Sequence, residues 1–186
     1  VDDLHALLDH LGIERATLVA QSMGGWTCLG FALRYPARVE RLMMCDTHGG
    51  LASDEIARVW SAALQAAGEL PAGVHPAAGV RMAREQPALH FLYAQINALN
   101  PARSLSALGA LLSAAGAPTA ADVGALDVPV LFIAGEEDVV IPPRMLAIAA
   151  GCFRKARLES VPAAGHSVYF ERPAVFNAIV ERFLAG

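Results

Sequence analysis

The 186-residue chain carries no basic run, no long apolar run and only three cysteines. Each of these absences excludes a class of function. Binding to nucleic acid draws on a clustered positive field, and a net charge of −4 with dispersed Lys and Arg does not provide one. The longest weakly polar stretch, Leu105 to Pro118, is interrupted by serines and glycines and is too short to cross a bilayer. The opening residues Val1, Asp2, Asp3 and Leu4 are acidic where a signal peptide is basic, so no export signal is expected. Cys28, Cys45 and Cys152 are odd in number and unclustered. They read as reduced, partly buried thiols, and a cytoplasmic location is the expectation. His5, His10, His75 and His90 have no partners at metal-ligand spacing, so neither a metal nor another cofactor is expected.

What the chain does have is apolar content, 55% of residues, much of it alanine. That is enough for one domain with a sizeable core, and alanine favours helices packed closely against something. Leu4, Leu7, Leu8 and Leu11 recur at helical spacing and Gly12 ends that helix. Short apolar runs at Ala16–Ala20, Arg41–Cys45, Pro129–Ala134 and Ala156–Val161 read as buried strands, with a helix from Trp26 to Arg34 and another opened by Pro173. Between Thr47 and Asp127 there is no strand pattern. Four amphipathic stretches occur there instead, near 54–67, 76–85, 88–98 and 102–115. Strands alternating with helices predict an α/β fold, a short parallel sheet of about four strands flanked by helices. Residues 1–46 and 128–186 form the two parts of its core, and 47–127 form a helical cap between them.

Reactive groups in such sheets collect in loops at the carboxyl ends of strands. Three loops qualify. The first, Gln21, Ser22, Met23, Gly24 and Gly25, has the strand-to-helix setting of a nucleophile elbow, with Ala20, Gly24 and Gly25 small enough for a sharp turn. Its geometry aims the Met23 backbone N–H at an oxyanion formed on Ser22. Serine needs an adjacent base, and the loop Ala164, Gly165, His166, Ser167 offers an imidazole. The loop Gly135, Glu136, Glu137, Asp138 offers a carboxylate to orient it. Each residue has a bland reading by itself: a tight turn, a loop histidine, a solvated acid. What points to catalysis is their arrangement on three successive strand ends in the chain order serine, acid, histidine. Asp46, after the second strand, is the alternative acid. Glu136 and Glu137 are expected in solvent, His48 reads as a polar loop residue with pocket lining as its alternative, and Met43, Met44 and the Trp26 region read as core.

The segments Gln21 to Trp26, Phe31 to Pro36, Asp46 to Gly50, Phe132 to Asp138 with Pro142, and Pro162 to His166 together resemble the capped α/β-hydrolases. The likeness is to the group around meta-cleavage-product C–C hydrolases, enol-lactonases and small carboxylesterases. It implies an acyl-enzyme mechanism with Ser22 as nucleophile, His166 as base and Asp138 as orienting acid. The leading expectation is a serine esterase for small or medium acyl chains, with a small-molecule ester as its partner. Lactone or C–C bond hydrolysis is the alternative within the family. Members of that family carry further strands, and a His-Gly loop with a second oxyanion donor, ahead of the point where this chain begins. The resemblance therefore also implies an N-terminally truncated core. Two further expectations follow from that. One is a homodimer or higher homo-oligomer that covers the exposed edge of Ala16–Ala20. The other is a catalytically weak remnant acting as an assembly or binding module.

Overall fold

The computed structural model describes residues 1–100 and 116–186. The expected helix at 102–115 lies outside the described residues. In chain order the elements are α1 (Asp2–His10), β1 (Ala16–Gln21), α2 (Gly24–Arg34), a single 3-10 turn (Pro36–Arg38), β2 (Val39–Cys45), α3 (Asp54–Ala66), α4 (Gly79–Glu85) and α5 (Pro87–Ala98). They continue with α6 (Ala120–Gly124), β3 (Val130–Gly135), α7 (Pro143–Gly151), β4 (Ala156–Val161), α8 (Val168–Glu171) and α9 (Pro173–Ala185).

The four strands are parallel and stand in sequence order, β1-β2-β3-β4. Because side chains alternate across a strand, the sheet divides its apolar residues between two cores. Leu18, Ala20, Leu42, Met44, Val130 and Phe132 pack on one face with Leu29 and Phe31 of α2 and Leu146 of α7. Met43, Cys45, Leu131, Ile133 and Val161 pack on the other with Ile179 and Phe183 of α9. The central β3 is buried at every residue, which explains its unbroken apolar run. β1 is an edge strand, and its Val19 is exposed, as are Leu7 of α1 and Leu11 just after it.

Local signals account for most boundaries. Ser53 caps α3 by accepting the Ile56 N–H, and acidic Asp54 and Glu55 fill the first turn. Pro87, Pro143 and Pro173 each open a helix, where a missing N–H costs nothing. Two short helices were not anticipated. α6 begins with a reciprocal capping box between Thr119 and Asp122. α8 has four residues, too few to show a period. No described helix is long and apolar enough to cross a membrane.

Candidate active site

All three loops named from the sequence converge at the carboxyl ends of the strands. At the end of β1 the chain turns so sharply that Ser22 adopts φ +50°, a left-handed conformation that a non-glycine residue rarely takes. Its N–H still extends the ladder, donating to Cys45 O at 3.1 Å. Of the two following glycines, Gly25 is the sterically constrained one. A Cβ there would lie 2.3 Å from Thr47 Oγ1, whereas one on Gly24 would meet only Ala20 Cβ at 4.0 Å. The Met23 N–H sits at the start of α2, where first-turn donors point out of the helix.

Ser22 Oγ lies 2.9 Å from His166 Nε2, and His166 Nδ1 lies 2.8 Å from Asp138 Oδ2. A proton on Nδ1 donated to Asp138 leaves Nε2 as the acceptor for the serine hydroxyl, the only tautomer that satisfies both contacts. Asp138 and His166 are buried. The other Asp138 oxygen accepts the N–H groups of Val140 and Ile141 at 2.7 and 2.9 Å, which fixes the carboxylate plane. Gln21 donates through Nε2 to His166 O at 2.9 Å and ties the elbow strand to the histidine loop. A row of this kind can pass a proton from hydroxyl to imidazole while the carboxylate balances the charge.

Asp46 does not take the place of Asp138. It is fully buried, with φ +48°, and its oxygens accept backbone N–H groups from Gly135 at 3.0 Å and Val168 at 3.5 Å. Burial pushes its carboxyl up to about 7, against the pull of the Gly135 N–H; nearby Asp138 adds to the rise and His166 opposes it.

Beside Ser22 opens an apolar cavity of about 570 Å³, walled by Met23, Trp26, Ile56, Trp60, Ile141 and Met145 and reached by His48. Trp26 is thus a cavity wall and not simply core. His48 stacks edge-on against it at 5.1 Å, and burial lowers its imidazole to about 4, so it is neutral near pH 7. Glu136 and Glu137 are exposed, as expected, and Glu137 is in addition ion-paired with Arg81 of α4, which donates from Nε at 2.8 and 2.9 Å. Tyr93 of α5 meets Ser167, next to His166, at 3.0 Å. Neither link could be read locally, since both join positions far apart in the chain. Among the described residues no three His, Cys, Asp or Glu side chains are placed to share a metal ion.

A family model for the alpha/beta hydrolase fold matches residues 1–173. The chain belongs to the α/β-hydrolase family. Over 198 residues it is 29% identical to 2-hydroxymuconate semialdehyde hydrolase from Pseudomonas sp. strain CF600, a match that takes in 100% of this chain and 67% of that enzyme. A 51-residue stretch, 27% of this chain and 18% of the other, is 49% identical to 2-hydroxy-6-oxo-6-phenylhexa-2,4-dienoate hydrolase from Comamonas testosteroni. Among solved structures, a thermophilic esterase from Thermogutta terrifontis superposes with a TM-score of 0.75 at 26% identity, covering 99% of this chain and 70% of the esterase. As an α/β-hydrolase the chain is therefore similar to enzymes of more than one hydrolytic chemistry, and it spans 58% of the length of one mycobacterial relative.

Proposed function

We propose that this chain carries the hydrolytic site of a serine esterase acting on carboxylic esters of small or medium acyl groups. The observation that carries this reading is the unbroken row from Ser22 Oγ through the His166 imidazole to Asp138, at 2.9 and 2.8 Å. His166 Nε2 takes the hydroxyl proton as Ser22 Oγ attacks the ester carbonyl, and the Met23 N–H supports the oxyanion. The imidazolium, balanced by Asp138, then protonates the leaving alcohol. Water attacks the acyl-enzyme by the reverse proton path and releases the acid.

Ester hydrolysis is favoured over cleavage of a dienoate by the character of the cavity. A dienoate brings a carboxylate into the site, and an unpaired charge in an apolar pocket is costly. The described walls offer Trp, Met, Ile and Val side chains and a neutral His48, with no Lys or Arg among them. A neutral acyl ester needs no such partner. The test is hydrolysis of 4-nitrophenyl butyrate by the wild-type protein and by Ser22→Ala. Turnover that Ser22→Ala abolishes supports the reading, and turnover that survives in the folded variant overturns it.

A further inference from the structure

A second carboxylate, outside the row of Ser22, His166 and Asp138, is built around the histidine. Glu171, the last residue of α8, is 4% exposed. Both of its oxygens accept the Gly165 N–H at 3.0 Å, and Oε1 also accepts the Ser167 N–H at 3.2 Å. These two peptide groups flank His166, so one side chain grips the backbone on either side of the imidazole. The grip is rigid at its own root, where the Glu171 N–H donates to Ser167 O at 2.8 Å. It is also close-fitting, because a Cβ on Gly165 would stand 3.1 Å from Glu171 Oε1.

The opposite side of the loop is held by the acid loop. Glu137 N–H donates to Ala164 O at 2.8 Å. Gly135 passes so near that a Cβ there would lie 2.0 Å from Gly165 O. Residues 164–167 are thus clamped between the loop bearing Asp138 and the carboxylate of Glu171. A buried carboxylate is costly without partners, and here three hydrogen bonds to backbone N–H groups compensate. Burial raises the Glu171 carboxyl above its ordinary value, while the Gly165 and Ser167 N–H groups and Arg172 pull it back.

Resting on the serine-hydrolase reading above, we propose that Glu171 is a positioning residue. It holds the His166 imidazole in line between Ser22 and Asp138 by fixing the peptide groups on both sides, without touching the reacting atoms. A misplacement of about 1 Å can cost a reaction about a hundredfold. Glu171→Leu, which keeps the bulk and removes both acceptors, is therefore expected to lower kcat for 4-nitrophenyl butyrate about a hundredfold with KM changed less than about threefold. Glu171→Gln keeps one carbonyl acceptor and is expected to lower kcat only about three- to tenfold. The low-field NMR resonance of the His166 Nδ1 proton is expected to be sharp in the wild type, where Nδ1 lies 2.8 Å from Asp138, and to broaden in Glu171→Leu.

Phe153→Leu, a core change after α7 on the face of the sheet opposite Ala164 and Val168, serves as a control for lost stability and should leave that resonance and kcat unchanged. Wild-type kcat and a sharp resonance in Glu171→Leu would overturn the proposal. If Glu171→Leu does not fold, Glu171→Gln decides: a loss confined to kcat supports positioning, and wild-type kcat overturns it. Ser22→Ala separates the two levels, since activity surviving in it defeats the hydrolase reading, whereas its loss beside an unaffected Glu171→Leu defeats only this proposal.

Discussion

The loops at the ends of β1, β3 and β4 carry Ser22, Asp138 and His166, and α3 walls the cavity beside Ser22, yet these loops and the helices α3 to α5 are held in different ways. Around the loops, hydrogen bonds close on every side: Gln21 to His166 O, Asp46 to Gly135 and Val168, Asp138 to Val140 and Ile141, Glu171 to Gly165 and Ser167. The helices reach those loops through isolated side chains, such as Arg81 to Glu137 and Tyr93 to Ser167. Phe91, Leu92 and Ile96 of α5, and Leu99 just after it, are exposed. Reaction geometry demands sub-ångström placement, which only an over-determined network provides. Substrate shape demands a wall that can vary, and α3 supplies Ile56 and Trp60 to the cavity without entering the network. Under the proposed esterase reading, the strand-end loops carry the chemistry and α3, which walls the cavity, sets which acyl group is accepted.

The largest expected effect breaks the comparison at its centre. Asp138→Asn should lower kcat for an activated ester by about 10³–10⁴, as loss of the orienting carboxylate does elsewhere, with KM little changed. Trp60→Ala, on the helix side, should leave kcat within about threefold. It should raise KM for a hexanoate ester about tenfold, the equivalent of about 1.4 kcal/mol of lost apolar contact. Steady-state kinetics on the two variants checks both. Equal losses of kcat in the two would dissolve the division between chemistry and choice.

The smallest effect concerns Asp46, whose carboxyl is raised from 3.8 to about 7 by burial. A carboxyl raised on folding stabilises fully below its ordinary value, and that contribution is lost as pH rises through about 7. Asp46→Asn removes this titration. In urea unfolding the variant should therefore gain on the wild type between pH 4.5 and pH 8. A stability difference that stays constant, or moves the other way, would contradict the burial-driven shift.

Much of the core was legible because its signals are local. β2 and β3 are apolar runs with a glycine or an acid at the end, and the elbow, acid and histidine loops follow strands in a recognisable order. Glu171 was not legible, since a glutamate two residues before Pro173 reads as a surface residue at a helix start. Its burial depends on the histidine loop folding back over it, a relation with no period in the chain. The same holds for Arg81 with Glu137 and for Tyr93 with Ser167, pairs separated by 56 and 74 residues. Trp26 reads as core from the sequence because apolarity does not distinguish a packed face from a cavity wall, and only the approach of α3 makes it one.

The central claim is that the loop network makes Ser22 a nucleophile, and one measurement reaches it most directly. The protein is incubated with a fluorophosphonate ester, digested, and the adduct mapped by mass spectrometry. A single phosphonylated peptide modified at Ser22 is expected, formed at a rate that collapses in His166→Ala. An adduct on another residue, or labelling of Ser22 as fast in His166→Ala as in the wild type, would contradict it.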